Sequence, residues 1–149
     1  MRMHLSKVKL PDKETHYRYS DYHYEDGLRV KLSKFYSVKE TDCFCYVVDE
    51  WDYSKMKSWN FDALLKLDFD AFINVRKVGK KAIRSYCHES KDLALNSFIK
   101  RKEMQLFHAK TATSKATLAL KKLAGIEPVG IGDSINCGLD SHLRSFIFD

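Results

Sequence analysis

The chain has 149 residues, 44% of them apolar and 13% aromatic, which suffices for one domain with a real core and excludes disorder over most of its length. No apolar run approaches the roughly 18–20 residues that span a bilayer, and residues 1–7 lack the apolar core of a signal peptide, so a cytoplasmic single domain over 1–149 with no membrane partner is expected. Lys and Arg outnumber Asp and Glu 26 to 20, a modest excess that suits an anionic partner without demanding one.

In chain order, His16–Tyr24 reads as an aromatic strand, and Asp26-Gly27 as the turn that folds it back, because glycine supplies the positive φ of a tight hairpin. Leu28, Val30 and Leu32 alternate onto one face of a second strand over 28–38, and Cys43, Cys45 and Val47 onto one face of a third, with a hairpin turn at residues 39–42. Asn60 caps a short helix over 61–67. Residues 72–78 and 81–87 are expected to form a second hairpin around Gly79-Lys80, feeding the next segment.

That segment dominates the chain. Between Lys91 and Gly125 no Gly or Pro occurs, and eight basic residues face two acidic ones, an excess equal to that of the whole protein. Ser90 is a good N-cap, Asp92 and the pair Lys121 and Lys122 suit the two ends of a helix dipole, and Gly125 and Pro128 stop the helix. An unbroken rod would run about 50 Å, longer than a compact domain needs; the weak point is Thr111 to Ser114, where β-branched residues favour a break.

On a helical wheel Leu95, Phe98, Ile99, Leu106, Ala109, Ala116, Leu120 and Leu123 fall on one stripe, expected to pack on the sheet. The opposite face carries Lys100, Lys110, Lys115, Lys121 and Lys122, interrupted by Met104, Phe107 and Leu118; apolar residues on a basic face mark a partner surface. Lys102, inside the stripe, is expected to snorkel, or to form a patch with Phe98, Arg101 and Gln105. Gly130-x-Gly132 reads as a turn, and 143–148 as a closing strand.

No catalytic constellation emerges. Cys43-x-Cys45 with Cys87-His88 is the best metal candidate, but its spacing suits a tetrahedron poorly, and buried reduced thiols are expected, with no metal or cofactor. Cys137, Asp140 and His142 lie too close in sequence to converge on one reacting atom. Asp49, Glu50, Asp52, Asp62, Asp68 and Asp70 read as solvated acids of loops and helix ends. The strand run Tyr17, Arg18, Tyr19 has the aromatic spacing on which single-stranded nucleic acid stacks.

The stretch 85–120, with its run Ala94-Leu95-Asn96-Ser97-Phe98-Ile99-Lys100-Arg101-Lys102-Glu103-Met104-Gln105, resembles a segment of small uncharacterised bacteriophage proteins, in which a strand hairpin leads into a basic helix. The resemblance implies an infected bacterial cell as the setting and the strand-to-helix layout; it implies no activity.

The expectation is therefore an α+β fold, an antiparallel sheet packed on one long amphipathic helix plus a short helix. Its function would be non-catalytic: occupying a bacterial host or defence protein with an acidic or grooved surface, and so inhibiting or redirecting it. The binding residues would be Lys100, Arg101, Met104, Phe107, Lys110, Lys115, Leu118 and Lys122. The alternative is nucleic-acid binding by Tyr17, Arg18 and Tyr19 with Lys100, Lys110 and Lys115.

Overall fold

The computed structural model describes residues 8–58 and 73–145. The expected helix over 61–67 and its cap Asn60 lie outside the described residues, as do the acids Asp62, Asp68 and Asp70. The chain falls into two compact units, residues 1–99 and 100–149.

The first unit is built on a four-stranded antiparallel sheet whose spatial order follows the chain: β1 (His16–Tyr24), β2 (Gly27–Glu40), β3 (Phe44–Asp49) and β4 (Arg76–Gly79). The β1–β2 hairpin runs from His16 opposite Phe35 to Tyr24 opposite Gly27. Gly27 takes φ 132, a conformation that side chains with a Cβ rarely adopt, and so closes the turn foreseen at Asp26-Gly27. The second turn sits slightly later than expected: β2 continues to Glu40, and Thr41 holds the bend by accepting the Phe44 amide on its hydroxyl at 3.2 Å.

After β3 the chain enters α1 (Glu50–Ser58), in a region read from sequence as loops and helix ends. Asp49 caps it, its carboxylate accepting the Asp52 amide at 2.7 Å. Asp52 is not a solvated acid. It is buried, accepts the Asn74 amide at 3.0 Å and lies 3.5 Å from Lys55 Nζ. One carboxylate thus ties α1 to the approach of β4, and a buried carboxylate requires such partners.

The sheet has a core on each face, because alternate residues of each strand point to opposite sides. Tyr36, Val38 and Val48 pack with Tyr53, Met56 and Ile73 on one side. Phe35, Cys45, Val47 and Val78 pack with Cys87 on the other. Leu28 and Val30, expected to share a face, do so at the exposed end of the β1–β2 ribbon, beyond the reach of either core.

The hairpin expected around Gly79-Lys80 does not form. β4 pairs with β3, and residues 80–87 pass as turns and bends instead of a strand. The segment then touches the far edge of the sheet, where Tyr17 and His88 exchange two backbone hydrogen bonds of 2.7 and 2.9 Å. Gly79 suits the first position of a tight hairpin turn, but the edge of β3 competes for β4 and wins.

α2 (Lys91–Leu123) is a continuous helix of 33 residues. Ser90 caps it as foreseen, accepting the Leu93 amide at 3.1 Å. Thr111 and Thr113 do not break it; each hydroxyl donates to the carbonyl four residues back, Phe107 and Ala109, at 2.9 Å. Gly125 ends it at φ 73. Within the first unit, Ala94 and Phe98 are its buried residues, the Phe98 ring lying 6.3 Å from that of Tyr19. The architecture is α+β. In the second unit, α3 (Ser141–Arg144) replaces the start of the strand expected over 143–148; residues 146–148 lie outside the described residues.

Candidate functional site

In the second unit two of the three apolar residues expected on the exposed basic face of the long helix are half-buried. Phe107, predicted as an exposed anchor, is half-buried: its ring meets His142 edge-on, with centroids 5.4 Å apart and planes at 62°. One turn further, the Thr111 hydroxyl and His142 Nε2 are hydrogen-bonded at 2.9 Å. Asp140 caps α3 by accepting the Leu143 amide at 2.8 Å. That amide, followed by the Ser114 hydroxyl, holds the Asp140 carboxyl below its ordinary range. Leu118 is also half-buried. Asp140 and His142 therefore do structural work, and Cys137 directs its thiol to the Ile135 carbonyl.

With that side occupied, the predicted core stripe is what solvent meets. Leu106, Leu120 and Leu123 are 57%, 73% and 49% exposed. Ala109, Thr113 and Ala116 are exposed or half-exposed between them. The expectation of a buried stripe is corrected: Phe98 alone of its members is buried. The physical reason is that a wheel records which residues share a face and not whether any surface lies against that face.

The residues Lys102, Leu106, Ala109, Thr113, Ala116, Leu120 and Leu123 follow alternating steps of four and three. This is the seam along which one helix packs on another, with small residues in the middle allowing close approach. Lys102 does not point a bare charge into it, because its Nζ donates to Gln105 Oε1 at 2.9 Å. A shallow groove of about 680 Å³ runs beside the seam between Leu106, Ala109 and Thr113 on one wall and Ser141, His142 and Ser145 on the other. Lys100, Arg101, Lys110, Lys115 and Lys122 are exposed, and so is Met104. They do not occupy the seam's line of alternating steps.

In the first unit the Tyr17–Tyr19 run is engaged by the protein itself. Lys91 Nζ lies 5.5 Å from the Tyr17 ring, Tyr19 packs on Phe98, and the Arg18 guanidinium lies 4.1 Å from the Tyr86 ring. Arg76 also stacks on Tyr86, at 4.0 Å, and the edge of the same ring meets Phe35. These groups border a pocket of about 210 Å³ with Ser20, Ser33, Asp49 and Asn74. Tyr17, Arg18 and Tyr19 are half-buried and already have partners within the chain, which their spacing could not reveal.

The four-residue metal constellation is not assembled either. Cys43 is exposed in the turn before β3, whereas Cys45 and Cys87 are buried together. Burial pushes the Cys87 thiol up to about 12, so it is a neutral packing group at ordinary pH. Comparison with known proteins finds no matching family model, no matching curated protein and no matching solved structure.

Proposed function

We propose that this chain is a non-catalytic binding protein that receives an amphipathic helix of a bacterial partner along α2. The observation that carries the reading is the exposed seam of Leu106, Leu120 and Leu123, spaced for a helix. Leucines supply the desolvated centre of such a contact, and Ala109 and Ala116 let the partner's backbone approach. Lys110, Lys115 and Lys122 attract an acidic flank and raise the encounter rate more than they deepen the complex. The resemblance of residues 85–120 to small phage proteins supports a host or defence protein as the target, to be inhibited or redirected by occupation of its helix.

The test is capture from bacterial lysate by the wild-type chain and by the double variant Leu106→Asp and Leu120→Asp, with sedimentation velocity on both. Both positions are exposed, so the fold should survive. The reading requires a captured protein lost by the double variant and a helix of that protein that competes for binding. Undiminished capture removes it, as does self-association that saturates the seam. In parallel, affinity for single- and double-stranded probes whose logarithm falls by about 0.7–0.9 per phosphate contact against log salt would favour nucleic acid instead.

A further inference from the structure

We infer that His16, Cys45 and Glu89 form a site for a divalent transition-metal ion of the zinc class. One ligand atom from each lies within 4.8 Å of the other two, and among the described residues this is the one such group of His, Cys, Asp and Glu side chains. The three come from β1, from β3 and from the turn before α2, so tertiary structure alone brings them together.

The set divides by burial as an open metal site does. His16 and Cys45 are 3% and 1% exposed, and Glu89 is exposed at the mouth. His16 is already oriented. Thr15 Oγ1 is hydrogen-bonded to His16 Nδ1 at 2.8 Å and accepts the Ser37 amide at 2.8 Å. The hydroxyl thus holds one ring nitrogen, and a hydrogen bond of this kind fixes tautomer and ring in histidine ligands.

Thiolate, imidazole and carboxylate together suit zinc or cobalt and disfavour calcium and magnesium, which take oxygen ligands. In a tetrahedral zinc site, ligand atoms stand about 3.3–3.8 Å apart. The group must close by about 1 Å, and Glu89, at the exposed end, has the torsional freedom to do so. Three protein ligands leave a fourth position to water. As the sulfur–metal bond forms, the thiol proton passes to solvent.

Cys43-x-Cys45 was the sequence's metal candidate, and Cys45 alone of that pair belongs to the site. Its true companions stand 29 residues before it and 44 after it in the chain, beyond any spacing rule.

The experiment is titration of the metal-free full chain with Co²⁺, followed by absorbance, with Zn²⁺ as competitor. The expected result is a thiolate-to-cobalt charge-transfer band that saturates at one ion per chain and is removed by Zn²⁺. Cys45→Ser should abolish the band, Glu89→Gln should weaken cobalt binding about tenfold or more, and Cys43→Ser should leave both unchanged. Absence of the band in the wild-type chain overturns the site. So does a band that survives Cys45→Ser or is lost in Cys43→Ser. Should Cys45→Ser fail to fold, the exposed Glu89→Gln decides: unchanged affinity rejects the assignment.

Discussion

Phe107 of α2 and His142 of α3 meet ring edge to ring face with 5.4 Å between centroids, and with the Thr111–His142 hydrogen bond this contact covers one side of the helix in the second unit. The C-terminal segment lies against the side of Phe107 and Thr111, leaving the side of Leu106 and Leu120 to solvent. Phe107→Ala should therefore loosen the second unit by about 1–2 kcal/mol, the ring contact plus part of the buried area of an aromatic side chain. Hydrogen exchange at Leu143 and Arg144 is the measurement, and unchanged protection would show that α3 is held by something else.

Charge should act on the rate of partner binding. Replacing Lys110, Lys115 and Lys122 by Ala is expected to slow association severalfold at low ionic strength while dissociation stays nearly constant, because exposed charges act through a field that salt screens within about 10 Å at 0.1 M. Stopped-flow or surface-binding kinetics at two salt concentrations reads both rates. A change confined to dissociation would mean that the lysines make close contacts.

Stability should reside in the sheet's inner residues and not in its exposed ribbon. Met56 is fully buried between α1 and the sheet, so Met56→Ala is expected to cost about 2–5 kcal/mol. Leu28 is 64% exposed, and Leu28→Ala should stay within about 0.5 kcal/mol. Urea denaturation followed by tryptophan fluorescence separates the two, and similar losses would contradict the burial pattern.

The hairpin depends on Gly27. At φ 132 any side chain is strained although nothing stands within 4 Å of the missing Cβ, so Gly27→Ala should destabilise by about 1–2 kcal/mol through the backbone alone. A thermal melt that does not move would mean that the turn relaxes to another type at no cost.

Acid should release α3 first. The Asp140 carboxyl is held below its ordinary value of 3.8 chiefly by the Leu143 amide. The folded state therefore binds its proton less readily than the unfolded chain. That stabilisation is fully present above about pH 3.8 and is lost as pH falls through the lower folded value. Amide exchange in α3 followed through that window should quicken, and Asp140→Ala should show the quick exchange at every pH. A wild-type profile that stays flat there would remove the carboxylate from the cap.

Local features of the fold were legible because their causes are local. Strand β1 was readable from its alternating aromatics, the Asp26-Gly27 turn from the freedom of glycine, and both ends of α2 from Ser90 and Gly125, each of which acts on amides or carbonyls within a few residues of itself. α1 was missed because its buried side is only Asp52, Tyr53 and Met56, too few turns for a periodicity to stand out, and its cap Asp49 doubles as the last residue of a strand. The hairpin at Gly79 was misread for a related reason: a turn residue states that the chain bends, not which strand it meets.

What the sequence by itself determined is therefore the set of elements and the chemistry on each side of them: an aromatic strand pair, a long basic helix, and an apolar stripe spaced in threes and fours. Tertiary structure decided which of those sides are used. It spent only Ala94 and Phe98 of the helix on the first unit's core, turned Phe107 inward against His142, and gathered His16, Cys45 and Glu89 from three distant segments. The physical reason is that hydrophobic burial is non-directional. A stripe records that a residue gains by leaving water, and only the competing surfaces of the folded chain settle whether one is there to receive it.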